Sequence, residues 1–388
     1  MKTTEHNVSE LIYLSSSTFF DNSANSVHVA KMCSALAKRD INVGLYTYRS
    51  KKLITEAYNE YNIHPKVVLK EYKFSRSKFK PLQLILIMLE TILVGSQYKR
   101  ASFYYGRHLL LLYFLKQTYK VSAVGEVHAL ANTKLGAFIM RKVLLSLDAV
   151  VVITEALKDD LINEYKLNDI DIIVLPDGAD PSNSITKQIK VNNRLKVGYV
   201  GRLYAGRGIE LIISLAKLMP EFDFVIVGAT DNDYKRFGES FLQTNLKVID
   251  YLPNSQLDEY YSDFDIVIAP YHKRISVSNK KNDTSRWASP LKLFEYMSHG
   301  KCILVSDLEV FKEVLTNEYN CLFCEAENVN DWVKKIKLVS SDPTLRRRIA
   351  KNAYDDFIKN YTWEIRVKKL LSYLTENRYV SFINEPDD

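Results

Sequence analysis

Cysteine is scarce in this chain of 388 residues, whose four cysteines are too few and too scattered for a disulfide framework. Cys321 and Cys324 form a C-x-x-C pair, but no second ligand pair accompanies them, which disfavours a zinc or redox site. Long apolar runs are also lacking. Residues 82–94 are shorter than the roughly 18 apolar residues of a membrane-spanning helix and include Glu90. Since residues 1–10 lack the apolar core of a signal peptide, we expect a cytoplasmic protein.

The charge balance is mildly basic, with 53 lysine and arginine residues against 46 aspartate and glutamate residues and a net charge of +7. Such a surplus indicates anionic partners, namely nucleotide phosphates or acidic lipids. No nucleic-acid-binding motif accompanies the charge, so we expect no nucleic acid partner. No G-x-G-x-x-G follows a predicted strand, which disfavours a dehydrogenase.

Two long stretches alternate short β-rich runs with amphipathic helical runs, a pattern typical of parallel sheets with crossover helices. The first stretch fills residues 1–185 and the second fills residues 195–371, with the polar segment 181–194 as linker. The predicted fold class is therefore α/β with two Rossmann-like domains. Ligands of such sheets bind outside the carboxyl ends of the strands, so we expect the site in a cleft between the domains.

A glycine- and arginine-rich loop, residues 201–208, joins the first strand of the second domain to its first helix. Gly201 lets the backbone approach a ligand, and the following helix start offers unpaired N–H groups to a phosphate. Arg202 and Arg207 add two permanent cations whose planar forks match phosphate oxygens. The loop is thus predicted to bind phosphate, in preference to being a solvated loop with two surface arginines.

A second phosphate-binding helix start is predicted at Ser289-Pro290-Leu291-Lys292. Ser289 is a good N-cap, and Pro290 suits the first helical position. Glu295, in the second turn, would accept hydrogen bonds from ribose hydroxyls, as acidic residues do in dinucleotide-binding folds.

These motifs resemble those of the family 4 retaining glycosyltransferases, also called glycosyltransferase group 1, which have the GT-B fold. Gly201-Arg202-Leu203 with Arg207-Gly208 resembles the donor-phosphate motif, and residues 289–297 resemble the donor-binding helix. The resemblance covers nearly the whole chain. Further similar segments are 125–128, 174–180, 265–270, 300–303 and 361–364. Residues 361–364 resemble the start of the last helix, which in this fold returns to the first domain, here from about residue 372 to 388.

The resemblance also implies residue roles. Arg202 and Arg207 would hold the diphosphate of a nucleoside-diphosphate sugar, UDP- or GDP-linked, and Glu295 would bind the ribose. His128 would contact the transferred sugar. Gly201 and Lys292 would also bind the donor, and Ser289, Pro290 and Leu291 would add backbone contacts. The loop near the diphosphate and acceptor would be formed by Asn22, Ser23, Ala24, Asn25 and Ser26.

This sequence departs from the family pattern at three places. Arg207 replaces the usual lysine, which keeps the charge but changes its geometry. Trp287 occupies the position of the family's first glutamate, eight residues before Glu295, which leaves the sugar contacts of that glutamate open. The loop 22–26 lacks the family's common paired glycines.

The resemblance implies retention at the anomeric carbon, with cations and helix starts stabilising the leaving diphosphate. No metal and no cofactor is then required. Three D-x-D pairs stand beside strands, where aspartate is a usual turn residue, so we interpret them as structural. These pairs are Asp169/Asp171, Asp231/Asp233 and Asp263/Asp265.

Residues 66–94 combine a basic stretch with an apolar helical run. Six cations, with phenylalanines between them, precede the apolar segment 82–94. Such a segment can dock on an anionic membrane surface, which suits a lipid-linked glycan acceptor in bacterial surface polysaccharide synthesis. A solvated basic loop before a buried helix is the alternative.

Other functions share part of this pattern. An NDP-sugar epimerase or a phosphorylase of the same fold would use the same arginines, and a non-catalytic two-domain protein would bind sugar without chemistry. Donor cleavage, as opposed to binding alone, separates the enzymes from the binding protein.

Overall fold

The computed structural model describes residues 7–8, 10–20, 24–50, 52–98, 102–182, 194–275, 283–377, 379 and 381–382. The chain forms two compact units, residues 1–176 with 363–388, and residues 177–362. The last part of the chain joins the N-terminal unit from Trp363 onward. This residue lies within the expected helix start 361–364, and it precedes residue 372, from which we expected the return. Most of the expected linker, residues 183–193, lies outside the described residues.

The N-terminal unit is built on a seven-stranded parallel sheet with the order β4-β3-β2-β5-β6-β7-β8. A separate two-stranded ribbon pairs β1 with β15. The strands are β1 (Asn7–Val8), β2 (Glu10–Thr18), β3 (Asn42–Tyr48), β4 (Val67–Glu71), β5 (Ser102–Gly106), β6 (Ala123–Val127), β7 (Ala149–Val152), β8 (Asp171–Val174) and β15 (Ser381–Phe382).

Helices cover this sheet. They are α1 (Ala24–Ala37), α2 (Glu56–Glu60), α3 (Lys80–Tyr98), α4 (Leu109–Tyr119), α5 (Lys134–Leu144), α6 (Glu155–Tyr165) and α13 (Trp363–Glu376). Helices α3 to α6 pack side by side in chain order, whereas α13 packs on α1. The contact between α13 and α1 explains why the unit begins again at Trp363.

Strand β4 was not predicted, because Lys66 and Lys70 made its segment look like part of a continuous basic loop. Its backbone pairs with β3 at the edge of the sheet. Lys66 binds Asp40, and Lys70 lies over the rings of Tyr46 and Tyr98. The exposed basic stretch therefore begins only after this strand.

The C-terminal unit has a six-stranded parallel sheet with the order β11-β10-β9-β12-β13-β14. Its strands are β9 (Lys196–Val200), β10 (Asp223–Ala229), β11 (Leu246–Asp250), β12 (Ile266–Ala269), β13 (Cys302–Ser306) and β14 (Leu322–Cys324). Its α-helices are α7 (Ile209–Leu218), α8 (Asp231–Phe237), α9 (Asp258–Asp263), α10 (Leu291–Ser298), α11 (Val329–Ser341) and α12 (Pro343–Asn360).

The strands of this second sheet are buried on both faces. In β12, Ile266 and Ile268 pack in one hydrophobic cluster, while Val267 and Ala269 pack in another on the opposite side. Side chains alternate across a strand, so a continuous apolar run supplies both layers of the core. This burial explains why short β-branched runs marked the strands in the sequence.

Helix α3 is longer than the apolar run from which it was predicted. Its 19 residues pass the length and composition test for a membrane-spanning helix, with a mean hydropathy of 1.3 and 28% of the tested window buried. It nevertheless joins β4 to β5 of one sheet and packs on α4. The buried Glu90 accepts the N–H groups of Lys73 and Phe74. These contacts make α3 a covering helix of the N-terminal unit.

Candidate active site

The loop after β9 adopts a backbone that requires glycine. Gly208 has a φ of 72°, and a Cβ atom there would lie 1.8 Å from the carbonyl oxygen of Pro270. Gly201 has a φ of 139°, and its missing side chain leaves the space beside the Nζ atom of Lys292. Both conformations disfavour residues with a Cβ atom. The glycines thus bring the loop against the end of β12 and against α10.

Three cations, two within this loop and one beside it on α10, each lie over an aromatic ring. The distance from the Arg202 Cζ to the Tyr251 ring centroid is 4.4 Å. Arg207 lies 4.8 Å from the Tyr271 centroid, and Lys292 lies 3.8 Å from that of Tyr199. Cation–π contacts orient these side chains without using their N–H donors. The side chain of Lys292, a predicted donor-binding residue, thus lies beside the two arginines of the loop.

Two nitrogen atoms of these cations are buried donors that lack a hydrogen-bond partner in the described part of the chain. Among the described residues, neither the Nε of Arg202 nor the Nζ of Lys292 has a hydrogen-bond partner. Burial, with a smaller contribution from Arg207, holds the pKa of Lys292 well below its usual range, although Glu295 opposes the shift. Buried unpaired donors are costly unless a ligand satisfies them. Their cluster at the carboxyl end of a parallel sheet fits a bound diphosphate.

Helix α10 starts one residue later than predicted. Pro290 is its N-cap residue, Leu291 is its first helical residue, and no side chain caps this start. The Ser289 hydroxyl instead accepts the backbone N–H of Asp177 at 3.2 Å. Proline has no side-chain acceptor, so it cannot satisfy the N–H groups of the first turn. The predicted helix start is present and has no side-chain cap, but Ser289 contacts Asp177 rather than capping the helix.

Glu295 is held in place before any ligand binds. Its carboxylate accepts the hydroxyl of Tyr261 at 2.7 Å and the side-chain amide of Asn254 at 3.2 Å. It is partly exposed, so these contacts fix its direction while leaving it accessible. Trp287 lies in a short 3₁₀ turn just before α10 and is partly exposed.

The predicted acceptor loop is only partly described, since Asn22 and Ser23 lie outside the described residues. Ala24 is exposed at the start of α1. The Asn25 side chain accepts a hydrogen bond from Arg107, which follows β5. Ser26 is buried and its hydroxyl donates to the Thr18 carbonyl, so its contact supports the loop itself.

His128 follows β6 and contacts Glu126, with 2.6 Å between Nε2 and the carboxylate oxygen Oε1. The Nε2 of His28 lies 2.7 Å from the same oxygen, and the rings of the two histidines are in edge contact. Arg366 of α13 also reaches Oε1, and the Tyr105 hydroxyl donates to the other oxygen. Sequence reasoning missed these partners, because they come from separate segments. Only the short Glu126-x-His128 spacing was visible in the sequence.

Opposing influences act on the ionisation of Glu126. Burial alone would raise its pKa, but His28, Arg366 and the hydrogen bond from His128 outweigh burial and hold the pKa well below its usual range. The carboxylate therefore remains charged at neutral pH. Side-chain donors from four elements surround this single buried charge.

His28, Glu126 and His128 also offer three potential metal ligands within 4.8 Å of one another. However, the guanidinium of Arg366 lies 3.3 Å from the same carboxylate oxygen. A permanent cation there already neutralises the carboxylate and disfavours a metal ion. We therefore interpret the cluster as a hydrogen-bonded network.

The D-x-D pairs have structural contacts. Asp233 caps α8, while Asp263 and Asp265 bind the side chain and the backbone of Lys196. Asp171 accepts the hydroxyl of Tyr379. Cys321 and Cys324 of the C-x-x-C pair are buried free thiols, and burial raises the pKa of both. Such thiols are unreactive.

Two α/β units, each built on a parallel sheet with covering helices, fit the GT-B fold of glycosyltransferases. The profile of the family "Glycosyl transferases group 1" matches residues 182–356, and that of "Glycosyltransferase Family 4" matches residues 26–183. The chain belongs to the group 1 glycosyltransferases, a family of transferase enzymes.

Among curated relatives is the N,N'-diacetylbacillosaminyl-diphospho-undecaprenol alpha-1,3-N-acetylgalactosaminyltransferase of Campylobacter jejuni. It is 28% identical over 175 residues, which cover 45% of this chain and 43% of the relative. The chain therefore aligns with less than half the length of this relative.

Solved structures share the fold over almost the whole chain. A glycosyltransferase from Rickettsia africae superposes with a TM-score of 0.75 at 14% identity, covering 95% of this chain and 98% of the other. The Anabaena protein HepE, solved with UDP and glucose, gives a TM-score of 0.69 at 14% identity, with coverages of 94% and 99%.

Proposed function

We propose that this protein is a retaining, metal-independent glycosyltransferase that moves a sugar from a UDP- or GDP-sugar to a glycan or lipid-linked glycan acceptor. The observation that carries this proposal is the cluster of Arg202, Arg207 and Lys292, in which two buried donors have no hydrogen-bond partner among the described residues, a role that an anion could fill. The acceptor class rests on the Campylobacter relative, whose name specifies a diphospho-undecaprenol substrate.

The C-terminal unit would stabilise the leaving nucleoside diphosphate. As the glycosidic bond to the donor breaks, negative charge accumulates on the diphosphate oxygens. Arg202, Arg207 and Lys292 would bind those oxygens, together with the uncapped start of α10. Fixed donors lower the barrier because they need no reorganisation during the reaction. Since these groups supply the positive charge, the chemistry requires no divalent cation.

The remaining site residues would orient the reactants. Glu295, already directed by Tyr261 and Asn254, would accept the ribose hydroxyls. His128 would contact the transferred sugar, and the loop around Asn25 would contact the diphosphate and the acceptor. Selectivity for one sugar depends on the groups that replace the contacts of the family's first glutamate, where this chain has Trp287.

The N-terminal unit carries an apolar and basic surface that suits a lipid-linked acceptor. Helix α3 exposes Leu82, Ile85, Met88, Leu89 and Ile92, each between 42% and 55% accessible. Helix α5, which like α3 packs on α4, exposes three more apolar side chains. They are Leu135, Phe138 and Ile139, at 42% to 68% accessibility.

Exposed cations flank both helices. Lys73, Arg76 and Lys78 precede α3, and Arg141 and Lys142 lie at the end of α5. Apolar side chains beside lysine and arginine favour the headgroup region of an anionic membrane. We propose that this surface holds the enzyme at the cytoplasmic face of the membrane, in the synthesis of a bacterial surface polysaccharide.

Vesicle binding tests the proposed membrane-binding surface. The Ile85→Ser/Phe138→Ser variant is expected to bind phosphatidylglycerol vesicles at least about tenfold more weakly, because it loses two inserted apolar side chains. Co-sedimentation at low and high salt measures this affinity. High salt should weaken the binding of the parent protein to the vesicles, because it screens the attraction between the cations and the anionic lipid. Leu242→Ser removes an apolar side chain that is 82% accessible in the other unit and should leave binding unchanged. Equal binding of all three proteins would refute the membrane surface.

A thermal-shift screen tests the proposed donor. The protein is heated with UDP, GDP, ADP, CMP and their sugar conjugates, in the presence of EDTA. A ligand that binds only the folded state raises the melting temperature by mass action. We expect a shift with UDP or GDP, and release of the nucleotide from the matching sugar conjugate when acceptor lipid is added. No shift with any nucleotide, or activity that EDTA abolishes and Mn²⁺ restores, would contradict the proposal.

A further inference from the structure

The carboxylate of Glu126 lies at the centre of a buried network that includes His128. Its side chain is fully buried, and both histidine Nε2 atoms lie within 2.7 Å of its Oε1 atom. Hydrogen bonds that involve a charged acceptor are stronger than neutral ones, so this carboxylate directs the rings around it.

We infer that Glu126 is a positioning residue, which sets the ring orientation and the tautomer of His128. A deprotonated carboxylate only accepts hydrogen bonds, so the His128 nitrogen that contacts it must carry a proton. In the neutral ring the proton therefore sits on Nε2, and Nδ1 is the acceptor nitrogen. A histidine so held offers a substrate hydroxyl an acceptor rather than a donor.

The same carboxylate connects His128 to the returning helix. Arg366 of α13 reaches Oε1 of Glu126 and also donates to the carbonyl oxygens of Leu175 and Pro176. The ring of His28 contacts both the His128 ring and that of Trp363, the first residue of α13. The docking of α13 and the orientation of His128 thus depend on one charge.

The test compares Glu126→Gln with Glu90→Gln. Both replace a buried glutamate of the N-terminal unit by an uncharged group of similar size, but the Glu90 carboxylate accepts the backbone N–H groups of Lys73 and Phe74 and has no contact with His128. The ¹⁵N chemical shifts of the ring nitrogens, with His128 assigned through His128→Gln, report the tautomer at neutral pH. We expect Nε2–H in the parent and in Glu90→Gln, and a mixture of tautomers in Glu126→Gln, because an amide can donate as well as accept.

Two results would overturn the inference. One is a parent protein whose neutral His128 carries its proton on Nδ1, a result that requires no variant to fold. The other is a folded Glu126→Gln variant with the parent tautomer. This measurement uses no substrate, so it can succeed or fail independently of the proposed transfer reaction.

A kinetic comparison rests on the proposed function. With the nucleotide sugar selected by the thermal-shift screen, Glu126→Gln should lower kcat by about 10- to 100-fold through misorientation. The donor KM should stay within about twofold, since the diphosphate is bound by the other unit. A purely structural role would lower the melting temperature while leaving the kcat of the folded fraction unchanged, and that outcome would contradict positioning.

Discussion

Replacing Arg207 by alanine is expected to weaken UDP or GDP binding by about 10- to 150-fold, and Arg202→Ala should have a similar effect. A hydrogen bond to a charged group contributes about 1.5–3 kcal/mol, and each 1.4 kcal/mol corresponds to about a factor of ten in affinity. Each guanidinium lies over an aromatic ring. Among the described residues neither forms an ion pair, so both can bind the diphosphate. Isothermal titration calorimetry with the nucleoside diphosphate measures the change.

Two control variants sharpen this result. Arg347→Ala removes an exposed arginine of α12 in the same unit and should bind like the parent. Arg207→Lys keeps the positive charge, as the family's usual lysine does, but loses the planar guanidinium. Its nucleotide affinity should therefore fall less, by about fivefold or less. Parent-like binding by both Arg202→Ala and Arg207→Ala would show that the diphosphate binds elsewhere.

Nucleotide binding is expected to become weaker as the pH rises, through Lys292. Burial and the neighbouring Arg207 keep the pKa of the unliganded lysine well below its usual value of 10.5. A bound diphosphate would stabilise the charged form and raise that pKa. Between the two pKa values, binding takes up a proton, and the affinity falls by up to about tenfold per pH unit as the pH rises. Below both values Lys292 is charged in either state and contributes no pH dependence.

Calorimetry in two buffers of different ionisation enthalpy counts the protons taken up. Lys292→Met keeps the length of the side chain without its charge, so it should abolish this uptake and flatten the pH dependence between the two pKa values of Lys292. The phosphate of the ligand, with a pKa near 6, titrates equally in both experiments and cancels. If the parent and the variant show the same proton uptake, Lys292 does not contact the anion.

Several elements were readable from the sequence for clear physical reasons. Helix α7 (Ile209–Leu218) begins directly after the loop 201–208, as expected, and strand β12 (Ile266–Ala269) lies within the segment 265–270 that resembles the family. Buried parallel strands are short apolar runs, and a helix after a glycine-rich turn has a strong start signal. The family and the fold class were also predicted from the sequence, and the family profiles and the solved structures confirm them.

Other features depended on partners far away in the chain. Strand β4 was hidden because its lysines find Asp40, Tyr46 and Tyr98 only after folding. Ser289 was predicted to cap α10, yet its hydroxyl accepts the N–H of Asp177, 112 residues away. A local pattern cannot show which of two available partners a hydroxyl will bind.

The sequence alone determined the two α/β domains, the loop 201–208 and the helix that carries Glu295, because spacing, glycine and charge within short segments specify them. Only the tertiary structure decided that Lys292 would meet Tyr199 and Arg207, and that His28, Glu126 and Arg366 would surround His128. These contacts join residues up to 240 positions apart. They arise because strand ends and helices converge at one edge of each sheet. A buried charge at that edge contacts side chains from several segments and orients them.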